Sequence, residues 1–120
     1  MKFCIPARGE GLDAAVDTRF GRAERFVVVD TETGEVRSFP NAGASAGHGA
    51  GVQAARSVAG SGAEAVLAPA CGPKAFEVLE AAGVAVYSGA AGTVREAIEA
   101  FEAGRLRRLE EADAASGWAG

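Results

Sequence analysis

A chain of 120 residues has room for one domain and can bury a core without disulfide staples. Its formal net charge of −4, from 12 basic and 16 acidic residues, excludes the basic face of a dedicated nucleic-acid binder. Only Arg105, Arg107 and Arg108 cluster, and Glu110 and Glu111 follow at once, so this stretch reads as a solvated surface. No apolar run approaches the roughly 18 residues of a membrane span. The opening Met1-Lys2-Phe3-Cys4-Ile5-Pro6 lacks the apolar region of a secretory leader, so the expected setting is the cytoplasm, with Cys4 and Cys71 as free thiols.

Phe3-Cys4-Ile5 reads as a buried strand stopped by Pro6. A long loop over 7–25 follows. Residues 26–30 and 35–39 flank the turn signal Thr31-Glu32-Thr33-Gly34 and read as an antiparallel hairpin with its second strand at an edge. Residues 41–51 form a glycine-rich loop, expected to be poorly ordered without a ligand. Residues 52–59 read as a helix, 65–68 as a strand apolar on both faces, and 69–73 as a tight connection. Pro73 suits the first turn of the next helix, near 74–82, and 84–87 is a further buried strand. Thr93 and Glu96 match a capping box, with Val94, Ala97, Ile98 and Phe101 on one face of the helix they open. Three strands alternating with helices require parallel crossovers. The expected fold is α/β, with a five-stranded mixed sheet in the order 3-2-1-4-5 and only strand 2 antiparallel. One domain spans 1–109, and 110–120 form a flexible tail.

In such sheets ligands bind beyond the carboxyl ends of the parallel strands, here between the first and fourth. The loop after Pro6, the glycine-rich loop and 69–73 all reach that place. Cys71 stands just ahead of a helix N-terminus, a setting that favours a thiolate; the alternative is a small apolar filler in a tight turn. His48, the single histidine, is either a metal ligand or a solvent-exposed loop residue. Cys4, mid-strand, reads as core. The thiols are not a C-x-x-C pair, no Gly-Lys-Ser/Thr follows the glycines, and Gly9 and Gly11 open no helix, so redox, P-loop and dinucleotide readings lack their signatures. Asp13, Asp17 and Asp30 have no basic groove beside them, and no Gly-x-Ser-x-Gly elbow exists.

Several pieces carry a resemblance across about residues 1–109. They are Lys2-Phe3-Cys4-Ile5-Pro6, Phe20-Gly21-Arg22-Ala23 running into Phe26, Asp30-Thr31-Glu32-Thr33-Gly34-Glu35, and Gly47-His48-Gly49-Ala50-Gly51. Further on come Gly72-Pro73-Lys74-Ala75-Phe76 and Gly92-Thr93-Val94-Arg95-Glu96-Ala97-Ile98. In order and spacing they resemble the nitrogenase iron–molybdenum cofactor biosynthesis family. The resemblance implies a ribonuclease-H-like three-layer fold and a non-enzymatic, cytoplasmic carrier of an iron–sulfur or iron–molybdenum cofactor or its precursor. On that reading Cys71 and His48 are metal ligands, Arg22 balances cluster charge, and Gly49 and Gly72 complete the binding set. Cluster-assembly or nitrogenase proteins are the implied partners, and the chain is a monomer or weak homodimer. The rival reading is a regulatory or interaction domain that binds a small anion or a protein partner at the same crevice.

Overall fold

Strands that are apolar on both faces need cover on both sides. The computed structural model of the protein, which describes residues 1–110, supplies it. The elements run β1 (Lys2–Ala7), β2 (Arg25–Asp30), β3 (Val36–Pro40), a 3₁₀ turn (Ala42–Ser45), α1 (Ala50–Ala59) and β4 (Ala65–Leu67). They continue with α2 (Pro73–Ala81), β5 (Ala85–Ser88), α3 (Val94–Glu102) and β6 (Arg107–Arg108). The strands form one sheet in the order β3-β2-β1-β4-β5-β6. β1, β4 and β5 are mutually parallel, whereas β2 runs against β1 and β3, and β6 against β5.

Period-two alternation sorts the core into two layers. Cys4, Phe26, Val28, Val66 and Val86 meet Ala54, Val58, Phe76 and Leu79 of α1 and α2 on one face. Phe3, Ile5, Val27, Ala65 and Leu67 meet Val94, Ala97 and Ile98 of α3 on the other. The Phe101 ring closes the second layer edge-on against Phe3 at 4.9 Å and Tyr87 at 4.8 Å. The expected capping box starts α3: Glu96 N–H donates to Thr93 Oγ1 at 3.1 Å, and Thr93 N–H donates to Glu96 Oε1 at 3.0 Å.

The structure departs from the expected elements in three ways. It has six strands rather than five, and β2 is not alone in running antiparallel. The sixth, Arg107–Arg108, is exposed, and its neighbour Leu109 anchors it by burying its side chain and donating its N–H to the Val86 carbonyl at 2.8 Å. β1 also continues through Pro6. Thr31 N–H donates to the Met1 carbonyl, which fixes the alternation of the β1–β2 ladder and turns the Pro6 nitrogen away from β2. On its other side, β1 pairs with β4 only at Phe3 and Cys4, so no ladder bond is lost. Finally, the 41–51 segment contains the 3₁₀ turn, because Asn41 caps it with its own side chain. The tail expected from residue 110 lies, beyond Glu110, outside the described residues. Among the described residues no helix is long and apolar enough to cross a membrane.

Candidate functional site

A cleft of about 350 Å³ opens at the start of α1. It is lined by residues 47–52, which include His48, together with Arg22 and Lys74. Gly49 sits in the left-handed region (φ 68°) as the N-cap of α1, with no side-chain cap behind it. The first bond of the helix runs from Gln53 N–H to the Gly49 carbonyl. The amides of Ala50, Gly51 and Val52 therefore have no acceptor within the helix, and the positive end of its dipole faces the cleft. No carboxylate lines the cleft. The side chains of His48 and Lys74 are exposed and have no polar partner among the described residues.

Arg22 reaches the cleft from the loop before β2, and the two loops are tied to each other. Its Nη1 donates to the carbonyl oxygens of Ala44 at 3.0 Å and Ala46 at 2.6 Å. Buried Asn41 makes a second tie. Its Nδ2 donates to the carbonyls of Gly21 and Ala23, both at 3.0 Å, while its Oδ1 accepts from Gly43 N–H at 2.9 Å. The loops then press on the first turn of α1. A Cβ on Gly21 would fall 2.9 Å from the Gly51 nitrogen, and one on Gly43 would fall 2.7 Å from the Ala50 carbonyl oxygen. Only glycine permits both approaches.

Asp17 fixes the base of the Arg22 loop. Its fully buried carboxylate accepts from the backbone N–H groups of Arg19 at 3.0 Å and Glu24 at 3.2 Å, and from the Arg19 guanidinium at 3.3 Å. Burial raises this carboxyl, but the amides of Arg19 and Glu24 and the Arg19 charge outweigh it and hold it below the ordinary carboxylate range.

Cys71 corrects an expectation. It lies just ahead of α2, as the sequence implied, but its side chain turns inward and is 1% exposed. It packs in the layer of α1 and α2, and it does not line the cleft. Desolvation pushes its thiol up to about 12, the reverse of the acidic, accessible thiol expected from a helix N-terminus. Its nearest polar contact is a long one, 3.8 Å from Sγ to the Gly72 carbonyl. Gly72 is buried as the N-cap of α2. Cys4 is wholly buried in β1 and its thiol is raised further. Among the described residues no three His, Cys, Asp or Glu side chains gather as a metal-ligand set.

The structure thus brings Arg22, His48 and Gly49 together around the cleft and leaves Cys71 and Gly72 out of its lining. It adds Lys74 from the first turn of α2, and Asn41, Gly21 and Gly43 as the residues that shape the cleft. Two cations, an imidazole and free helix amides can grip an anion, and the imidazole can bind a metal directly.

The family model described as dinitrogenase iron–molybdenum cofactor matches residues 1–104. An uncharacterized protein of Methanocaldococcus jannaschii is 31% identical over 113 residues, covering 92% of each chain. The apo form of the orange protein from Desulfovibrio gigas is 44% identical. It superposes with a TM-score of 0.85 over 90% of this chain and 92% of that one. A putative NifB protein from Thermotoga is also 44% identical, with a TM-score of 0.78 over the same shares.

Proposed function

The chain belongs to the dinitrogenase iron–molybdenum cofactor family, and from that membership we propose that it is a non-enzymatic carrier of an anionic metal–sulfur cofactor, of iron–sulfur or iron–molybdenum type, or of its precursor. The observation that carries this reading is that Arg22 and Lys74 both line a cleft that no carboxylate lines. Metal–sulfur clusters with sulfide or thiolate ligands commonly carry net negative charge, and cationic side chains with free helix amides complement it. His48 is the residue we assign as a direct ligand. Cys71 can give a thiolate only if the core around it opens, so in this reading the cargo arrives with its own sulfur. One imidazole and an electrostatic grip make a labile site, as a carrier needs in order to hand cargo to cluster-assembly or nitrogenase-type partners. A cytoplasmic setting suits two reduced, buried thiols, and the helix–sheet–helix layering is compatible with a ribonuclease-H-like fold.

The test is anaerobic reconstitution with iron and sulfide. A brown protein with charge-transfer absorption near about 400 nm, retaining metal through gel filtration, is the expected result. The lack of a thiolate in the cleft favours one rival, a domain that binds a simple oxyanion at the same place. Colourless protein that binds phosphate there, with an affinity that Lys74→Ala reduces, would establish that rival instead.

A further inference from the structure

We propose that the outer edge of β3 takes an extended segment of another protein as an added strand, one that carries a basic, an acidic and an apolar residue in succession. The β2–β3 ladder fixes which groups are open. Asp30 N–H donates to the Glu35 carbonyl at 2.9 Å, and Asn41 N–H donates to the Glu24 carbonyl at 3.2 Å. With Arg37 set against Val28 and Phe39 against Phe26, these two turn their backbone groups toward β2, while Val36 and Ser38 turn theirs outward. No strand lies beyond β3 among the described residues. A groove of about 480 Å³ lies against it, lined by Glu10, Gly11, Val36, Arg37 and Ser38. Val36 opens the strand and is the one large hydrophobic side chain exposed among the described residues. Unpaired N–H and C=O groups beside an open groove are a template for a strand from another chain.

Backbone pairing selects a peptide, and the side chains select which one. Paired antiparallel, the added strand exchanges two hydrogen bonds with Val36 and two with Ser38. Its residue opposite Ser38 projects on the same face as the Ser38 hydroxyl, which donates to Glu10 Oε1 at 3.1 Å. Glu10 is 74% exposed; Oε1 also pairs with Arg25 Nη2 at 3.6 Å, and Oε2 is the oxygen left for a basic residue. The next residue lies opposite Arg37 on the other face, where the exposed guanidinium meets a carboxylate. Arg37 Nη2 donates to the Ser61 carbonyl at 2.6 Å, which leaves its other N–H groups for that bond. The third residue lies against Val36 and is apolar. A second copy of β3 does not meet these demands. A two-fold centre at Val36 sets Ser38 opposite Gly34, whose φ of 79° and N–H bond to the Asp30 carbonyl take it out of strand pairing. A centre at Arg37 opposes two guanidinium groups, and a centre at Ser38 sets Val36 opposite Pro40, which has no N–H to donate. A different chain is free of these constraints. The inference does not depend on what the cleft binds.

The experiment is an NMR titration of the isotope-labelled full chain with a short end-blocked peptide, Lys-Glu-Val between threonine flanks, up to about 2 mM, which reaches weak affinities. The expected result is a saturable downfield shift of the Val36 and Ser38 amide protons. The Arg37 and Phe39 amides, already bonded to β2, move little. A Lys-Lys-Val peptide binds about fivefold more weakly, because one cross-strand pair turns from attractive to repulsive. Arg37→Glu reverses that preference, and circular dichroism checks that the variant is folded. No shift at Val36 and Ser38, or shifts of equal size at all four amides, overturns the proposal, as does equal affinity for the two peptides. Amide hydrogen exchange of the chain without peptide identifies any other occupant. If both amides are already slow in dilute protein, another segment of this chain covers the edge; if they slow only as protein concentration rises, a second copy does. Either result overturns the proposal.

Discussion

The side-chain amide of Asn41 donates to the Gly21 carbonyl at 3.0 Å, and this bond joins the two loops that make the cleft. One end of Asn41 holds the loop that carries Arg22, and the other caps the 3₁₀ turn whose carbonyls receive the Arg22 guanidinium. Asn41→Ala would leave the Gly21 and Ala23 carbonyls and the Gly43 N–H without their partner. The expected cost is about 2–3 kcal/mol of stability, measured by urea unfolding. Asn41→Asp keeps the cap but loses both donated bonds and sets a charge against two carbonyls, so it should cost at least as much. A loss below about 0.5 kcal/mol for both would show that the loops assemble without this residue.

Asp17 makes stability depend on acid. Its folded pKa lies below the ordinary value, so its contribution is fully present above that value and is lost as pH falls through the depressed one. Urea midpoints of the wild type should therefore decline as pH drops below about 4. Asp17→Asn should remove much of that decline. At pH 7 it should cost about 1–3 kcal/mol, because two backbone N–H groups and a guanidinium lose a charged acceptor. An unchanged acid profile in the variant would assign the decline to other carboxylates.

Both thiols should resist alkylation in the folded protein. Cys4 is wholly buried and Cys71 is 1% exposed, with its thiol at about 12, so at neutral pH neither is a thiolate. Iodoacetamide should modify them only at the rate of opening, and fast once denaturant is added. Rapid labelling of native Cys71 would contradict its place in the core.

Much of the fold is legible in the sequence because its determinants are local. The doubly apolar strands, Pro73 at the start of α2 and the Thr93–Glu96 box each announce themselves within a few residues. β6 does not, because Arg107 and Arg108 carry no strand pattern; the pairing comes from β5 and from the burial of Leu109. The cleft is legible in part. The location of Arg22, His48 and Gly49 around one helix start follows from topology and chain order. The orientation of Cys71 does not follow from its place ahead of α2. It is set by burial in the core layer shared with α1 and α2, a tertiary effect that the local sequence does not show. Asn41 could have been found, since Asn ahead of a short turn of small residues is a cap signal. The close approaches at Gly21 and Gly43 could not, because the backbone they meet belongs to a helix distant in sequence.

The central claim is that the charge of the cleft, and not a core thiol, holds the cargo. The most direct measurement is iron retained per chain after anaerobic reconstitution and gel filtration, for wild type, Arg22→Ala, Lys74→Ala and Cys71→Ala, at low and high salt. Each charge removed should weaken retention about tenfold, the size of a lost charged hydrogen bond. High salt should weaken the wild type as well, because the cleft is open to solvent. Cys71→Ala should retain as much iron as the wild type. Loss of iron in Cys71→Ala, with Arg22→Ala and Lys74→Ala unaffected, would contradict the account and return the ligand role to the thiol.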